Sequence, residues 1–391
     1  VGIHPPALFK KMSIEIHQIV PRIHQKASGT TTVLTRLCEV LATTGNSVEL
    51  HVVKGNDAEN NFPVRVYPSI PFLKNLGISP KMKGAIRELS KKEVIIHNHS
   101  LWMMPNIYPG LVFDKNSKAK LVVSPHGTLS TWARSRSKSK KMVAWYLGQK
   151  KTLDKAHCFH ATSAQEVFDI RSMGYKQPIA FIPNGIDLPN EIFSIEKKKE
   201  ILFLGRLHPV KGIEFLLDIW SNLESDFPEW ELKIVGPPYK DGYLESLHNL
   251  VNQLGCKQVK FCSPVYNQEK YKTYAQAAIY ILPTYSENFG VTVGEALINK
   301  TPVIVSEGGP WEKVEEKKCG WWVKRDKQSF ERTIRSALNT SMEELNQMGE
   351  LGSSWIHEDF DWRRIGAQYI QLYNWLLNKD EKPAFVDTIK K

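Results

Sequence analysis

The most constraining feature of this sequence is a rhythm. Short apolar runs alternate with stretches of helical periodicity, and the pattern starts twice. In the first half IEIHQIV (14–20), VELHVV (48–53), VIIH (94–97), KLVVS (120–124), HCFHA (157–161) and IAFIP (179–183) read as strands. Between several of them lie helical patterns. Val33, Leu34, Leu37, Val40 and Leu41 share one face ahead of Gly45, and segments around 80–91, 142–155 and 164–173 follow. Strands separated by helices predict a parallel sheet covered on both faces. The polar stretch NGIDLPNEIFSIEKKKE marks a linker. The pattern then restarts with EILFLG (200–205), ELKIVG (231–236), VKFC (259–262), IYILPT (279–284), PVIVS (302–306) and GWWV (320–323). Doubly wound sheets bind ligands where strand C-termini meet helix N-termini, and two such sheets in one chain create a cleft between them.

Length agrees, since 391 residues exceed one ordinary core and suit two domains. The expected layout is a tag or disordered tail over 1–11, a first Rossmann-like domain over 12–190 and a second over 191–361. A helical segment within 362–380, WRRIGAQYIQLYNWLL at its centre, packs back on the first domain, and 381–391 is a flexible tail. No apolar run approaches the roughly 18–20 residues of a membrane-spanning helix. The first eleven residues, VGIHPPALFKK, lack the apolar core of a signal peptide, so the cytoplasm is the expected compartment. Cys38, Cys158, Cys256, Cys262 and Cys319 are scattered without zinc-ribbon or CxxC spacing, which predicts reduced, packed thiols. Charge is uneven. Residues 1–190 carry 26 Lys and Arg against 12 Asp and Glu, while residues 191–391 carry 26 against 29. A basic first half points to an anionic partner, a membrane surface before a nucleic acid.

Two constellations carry chemistry. GRLHPVKG (205–212) follows a strand and opens a helix, setting Arg206 and Lys211 beside a glycine turn. Exposed amides, helix dipole and side-chain charge there all favour a diphosphate. ENFGVTVGE (287–295) follows the strand IYILPT. Asn288, Phe289 and Gly290 form a turn whose amides approach a ligand, and Glu295 begins the ribose-facing part of a helix, eight residues after Glu287. A carboxylate there accepts both ribose hydroxyls, as acidic residues do in dinucleotide sites.

GRLHPVKG, followed by E-N-F-G-x-x-x-x-E, resembles the family 4 retaining glycosyltransferases of the GT-B fold. SPHGTL (124–129), ATSAQE (161–166), IPNGID (182–187), IVGPP (234–238) and PVIVSEGG (302–309) agree in order and spacing, so the match runs from Met12 to about residue 377. The resemblance implies an α/β fold of two Rossmann-like parallel-sheet domains facing across a cleft. It places Arg206 and Lys211 on the donor diphosphate, Glu295 on the ribose and Glu287 against the donor sugar. Amides from Phe289 through Gly290 and Val291 to Thr292 meet sugar and phosphate, and Asn288 and Val265 also line the donor site. His126 matches the donor-site histidine near the reacting centre. Gly29 matches one of a glycine pair in the loop after the first strand, although here Ser28-Gly29 precedes three threonines. Pro310-Trp311-Glu312 departs from the usual Pro-Glu.

Three further motifs bear on ligands. His97-Asn98-His99 is an H-x-H pair with no third ligand in sight, and HNHSLW resembles the family's acceptor-side loop. Asp359-Phe360-Asp361 forms a DxD, but at the start of a helical tail, where Phe360 and Trp362 are expected to pack. RSRSKSKK (134–141), with Trp132, Trp145 and Tyr146 nearby, suits anionic headgroups or a lipid diphosphate. The implied activity is transfer of a sugar from a nucleoside diphosphate sugar, UDP before GDP, without a divalent metal or other cofactor. The implied acceptor is a saccharide or a polyprenyl-diphosphate-linked saccharide in surface polysaccharide assembly, such as lipopolysaccharide O-antigen or capsule. The competing readings are a sugar-nucleotide epimerase or hydrolase on the same scaffold, and a non-catalytic basic adaptor on membrane or nucleic acid.

Overall fold

A computed structural model describes residues 13–23, 29–53, 61–189, 193 and 195–388. The expected tag over 1–11 lies outside them, as does Ser28. The chain divides into two compact units. The first takes the residues through Ala161, then Asp169–Ile182 and everything from Gly366 onward; the second takes Thr162–Phe168 and Pro183–Ile365.

The first unit is built on β1 (Glu15–Ile19), β2 (Ser47–Val52), β3 (Val64–Val66), β4 (Ile95–His99), β5 (Lys120–Ser124), β6 (Cys158–Ala161) and β7 (Ile179–Phe181). The second is built on β8 (Lys198–Leu204), β9 (Glu231–Val235), β10 (Val259–Cys262), β11 (Ala277–Leu282), β12 (Val303–Ser306) and β13 (Gly320–Val323). A last strand, β14 (Val386–Asp387), returns to the first sheet. The sheet orders are β14-β7-β6-β5-β4-β1-β2-β3 and β10-β9-β8-β11-β12-β13. All pairings are parallel except that of β14 with β7. In the second sheet, the central strand β11 is buried at all six of its positions. That burial explains why its sequence reads as a continuous apolar run rather than an alternation.

Two expectations change. The tail over 381–391 is not loose through its described part. Val386 and Asp387 pair with Ala180 and Ile179, and Arg171 holds the Asp387 carboxylate at 2.8 Å. A two-residue edge strand carries too little apolar pattern to stand out in a sequence. The boundary is not a single cut at residue 190, because Thr162–Phe168 and Pro183 onward belong to the second unit. The final helix, Trp362–Leu376, changes unit at Gly366. Beyond that point it lies against the first unit's core. A Cβ on Gly366 would come within 2.5 Å of Val40, and the Tyr373 hydroxyl bonds His97 at 2.7 Å.

Candidate functional site

In the second sheet the chain winds outward from β8 through β9 to β10, then returns beside β8 as β11 and winds the other way. Crossovers therefore leave the C-terminal ends of β8 and β11 in opposite directions, and the crevice between those ends is where doubly wound sheets take ligands. Both sequence constellations emerge there. The first sheet has its own reversal between β1 and β4, the strands that lead toward Gly29 and end in His99.

On the β8 side, backbone bonds from Gly205 N to Val235 O (3.0 Å) and from Leu207 N to Pro237 O (2.9 Å) hold the loop along the exit of β9. The approach is so close that a Cβ at Gly236, whose φ is 149°, would stand 1.8 Å from the Gly205 carbonyl oxygen. This accounts for the glycine of IVGPP. Arg206 is exposed, with no hydrogen bond or ion pair among the described residues. His208 Nδ1 accepts from Val210 N at 3.0 Å and starts the turn Pro209–Lys211. Gly212 then enters the helix Ile213–Trp220 with φ at 75° and its would-be Cβ 2.2 Å from the Pro283 carbonyl oxygen. The turn thereby aims the Lys211 ammonium at the β11 loop, where it pairs with Glu287.

On the β11 side, Glu287 N donates to Gly308 O at 2.6 Å. Asn288 Nδ2 donates to Thr162 Oγ1 at 3.0 Å, and the Thr162 amide is held in turn by Glu166. Phe289 is buried, and Gly290 leads into the helix Val291–Ile298, whose first amides have no partner inside the helix. The Thr292 hydroxyl shares a hydrogen bond with the Tyr280 hydroxyl at 2.7 Å. Because helix begins only at Val291, the two glutamates are not stacked along one helix; Glu287 sits in the loop and Glu295 in the helix. Lys270 Nζ meets Glu295 Oε1 at 2.6 Å, and the Tyr274 hydroxyl donates to its Oε2 at 3.0 Å. Burial, reinforced by the Glu295 charge, pushes the Tyr274 phenol up, so it remains a donor. Val265 is half-buried in the loop before the helix Asn267–Gln276 that supplies Lys270 and Tyr274.

Trp311, where the sequence departs from Pro-Glu, braces this loop. Its indole N–H donates to the Phe289 carbonyl at 2.5 Å, and its ring packs against Phe289, Trp355 and Phe360 with centroids 5.4–5.7 Å apart. Phe360 of the DxD therefore belongs to an apolar cluster. Asp359 accepts from the Trp355 indole at 3.0 Å, and Asp361 pairs with Arg363 at 2.8 Å.

In the first unit, His126 follows β5 in a turn with φ at 52°. Its Nε2 lies 2.9 Å from His99 Nδ1, and the rings stack. His99 Nε2 lies 2.6 Å from Gln18 Oε1, an acceptor, so His99 carries its proton on Nε2 and takes the His126 Nε2–H on Nδ1. His126 is left with a lone pair on Nδ1. Burial, then the charge of His160, lowers its pKa to about 3. It is a neutral imidazole at ordinary pH. His97 bonds Tyr373 at 2.7 Å and Ser124 at 2.6 Å, and Ser124 reaches His160 Nδ1 at 2.6 Å. The H-x-H pair is thus spent on a hydrogen-bonded network. Gly29 begins the helix Gly29–Thr43, and a Cβ there would meet nothing within 4 Å. Among the described residues, no neighbour requires glycine at that position.

Arg206, Lys211, Glu287 to Thr292, Glu295 and Val265 thus gather in the second unit, while His126 and Gly29 stand in the first. Sequence reasoning missed Lys270, Tyr274 and Tyr280, which hold Glu295 and Thr292, and Gln18 and His160 behind His126. Their only sequence signal is polarity at positions that strands and helices otherwise fill with apolar groups.

Comparison with known proteins follows this geometry. Residues 187–355 match the family described as glycosyl transferases group 1, and residues 27–189 match glycosyltransferase family 4. The chain belongs to this glycosyltransferase family. Among solved structures, sucrose-phosphate synthase from Thermosynechococcus elongatus superposes with a TM-score of 0.73 at 21% identity, covering 94% of this chain and all of that one. Anabaena HepE in complex with UDP and glucose gives 0.74 at 17% identity, over 93% of this chain and all of that one. Two Rossmann-like units with these neighbours define the GT-B fold. Among curated relatives, a D-inositol 3-phosphate glycosyltransferase of Catenulispora acidiphila is 27% identical over 237 residues, 55% of either chain. A Haemophilus influenzae glycosyltransferase is 32% identical over 141 residues, 36% of this chain and 38% of that protein. The matched region spans little more than half of these relatives at most.

Proposed function

We propose that the chain transfers a sugar from a nucleoside diphosphate sugar, UDP-linked before GDP-linked, to a hydroxyl of a saccharide or lipid-linked saccharide. One observation carries this reading: two cations, two helix N-termini and a half-buried carboxylate surround the crevice where the second sheet reverses direction. In that reading Glu295 takes the ribose hydroxyls, exchanging its bonds to Lys270 and Tyr274 for them. Arg206 and Lys211 take the diphosphate. As the anomeric C–O bond breaks, its electron pair moves onto the departing phosphate oxygen, and cations already in place stabilise that charge more in the transition state than in the ground state. The acceptor oxygen bonds to the anomeric carbon on the same face, and its proton passes to the leaving phosphate, so configuration is retained. Glu287 positions the donor sugar and balances charge. No divalent metal takes part at the leaving group. The HepE complexes with UDP and UDP-glucose support the choice of base.

Incubating the protein with a panel of nucleotide sugars and candidate acceptors, then resolving the products, tests the assignment. Transfer to an acceptor is expected. Conversion of the donor alone into an epimer or free sugar, with acceptors left untouched, would move the chain to the rival enzyme class.

The basic stretch forms the helices Thr131–Ser135 and Lys138–Ala144, continued by a helical turn through Gln149. It exposes Met142, Val143, Tyr146 and Leu147 beside Lys138 and Lys140. Apolar side chains among cations suit an anionic bilayer surface, and we place the protein there as a peripheral partner of a lipid-linked acceptor in surface polysaccharide assembly. Among the described residues no helix is long and apolar enough to cross a membrane. Vesicles with anionic lipid should carry the protein in flotation, and Lys138→Glu with Lys140→Glu should release it; equal flotation of both forms would refute the surface.

A further inference from the structure

On the face of the first sheet opposite His97 and His99, the parallel register sets His17 of β1 beside Glu49 of β2, with His51 two residues further along the same face. Three lone-pair atoms converge. His17 Nδ1 lies 2.9 Å from His51 Nε2, and Glu49 Oε2 lies 3.2 Å from His51 Nε2 and 3.5 Å from His17 Nδ1. Ligands on a tetrahedral zinc ion with bonds near 2.0–2.2 Å stand about 3.3–3.5 Å apart. The cluster matches that spacing except between the two rings, which need to separate by only a few tenths of an ångström.

From this geometry we infer that His17 Nδ1, His51 Nε2 and Glu49 Oε2 form a binding site for a divalent metal of the zinc class, joining β1 to β2.

The surrounding groups are arranged as metal sites require. Histidine ligands almost always commit their other ring nitrogen to a carboxylate, carbonyl or other polar partner, which fixes the tautomer and aims the free lone pair. His17 Nε2 donates to Glu15 Oε1 at 2.9 Å, so Nδ1 carries the lone pair. His51 Nδ1 lies 2.8 Å from the Tyr67 hydroxyl, a group able to accept its proton when Nε2 binds metal. Arg65 holds Glu49 Oε1 at 2.8 Å and turns Oε2 inward. Both imidazoles are buried, at 4% and 0% exposure, while the Glu49 side chain retains 19%, which leaves one side open for entry.

The chemistry of the donors selects the ion. Two imidazoles and one carboxylate suit zinc and its neighbours, whereas calcium and magnesium take oxygen-rich sets. Without metal, three acceptor-capable atoms, two of them on buried rings, share the single proton that His51 can place among them. A bound cation satisfies all three. The cluster stands on a different sheet and unit from Lys211 and Glu287.

The test uses the full chain, stripped with a chelator and dialysed, then titrated with Zn²⁺ by calorimetry and with Co²⁺ by visible absorption. One equivalent of Zn²⁺ is expected, accompanied by a rise in Tm. The cobalt form should show tetrahedral d–d bands without a thiolate charge-transfer band. His51→Gln and Glu49→Gln should abolish that equivalent, and Tyr67→Phe should weaken it on the order of 10–100-fold. Should the His51 variant fail to fold, the part-exposed Glu49 and the outer Tyr67 still decide the matter. Absence of stoichiometric binding, a thiolate band, or equal affinity in the wild type and these two variants would overturn the site.

Discussion

Lys211→Ala is expected to lower kcat/KM on the order of 100-fold or more, the loss that follows removal of one preorganised stabiliser of a developing anion. The geometry adds a reason. The ammonium has a carboxylate partner in Glu287, each side chain retaining under a fifth of its exposure, so deleting the lysine also leaves that carboxylate unpaired in a confined site. The loss should fall mainly on kcat, because the charge being neutralised grows as the glycosidic bond breaks. Tm should move little by comparison, since the pair lies in surface loops above the sheet. Glu287→Gln is the complement. It releases the lysine without removing it and should cost less if positioning is the carboxylate's whole contribution. Near-normal turnover by Lys211→Ala, measured as nucleoside diphosphate release in the presence of acceptor, would remove the leaving-group argument.

Trp311→Ala is expected to destabilise the second unit by about 3–5 kcal/mol, the usual cost of truncating a buried large aromatic. The indole is 2% exposed and packs against Phe289, Trp355 and Phe360. Its N–H also satisfies the carbonyl of Phe289, the residue before the Gly290 turn. The truncation therefore opens a cavity and orphans a buried acceptor, and the loop carrying Glu287 loses its floor. Urea unfolding with parallel donor-affinity measurements checks this. Trp311→Phe should recover most of the packing yet leave the carbonyl unpaired, so its nucleotide affinity should remain reduced. A Trp311→Ala protein with wild-type stability would show that the aromatic cluster is not the loop's support.

The second sheet was readable strand by strand because β11 and β12 are short, wholly buried parallel runs and its other strands are short, mostly apolar runs between polar segments. The same pattern located β1, β2 and β4 to β7 in the first half. It passed over β3, three residues with Val64 half-buried and the others exposed, and over β14, whose pairing partner lies some two hundred residues away. The Arg206–Lys211 turn and the ENFG loop were legible because close backbone approach and anion chemistry leave glycines and cations at fixed offsets. What holds these residues was not. Lys270 and Tyr274 reach Glu295 from another helix, and Gln18, His99 and His126 meet only once β1, β4 and β5 lie side by side. The His17–Glu49–His51 cluster shows the same limit: its ligands are separated by a whole helix and are joined by register alone. The histidine pair that did stand out in sequence, His97 and His99, is committed to hydroxyl and amide partners.

The claim on which the functional reading rests is that the ends of β8 and β11 form one nucleoside diphosphate site. The most direct measurement is the affinity of UDP, GDP and ADP for the wild type, Arg206→Ala and Glu295→Ala, each judged folded by its Tm without ligand. The account predicts that one nucleotide raises the wild-type Tm in proportion to RT ln(1 + [L]/Kd), and that both substitutions weaken it on the order of tenfold or more. A nucleotide that binds all three proteins with one affinity, or no nucleotide-dependent stabilisation of the wild type, would contradict it.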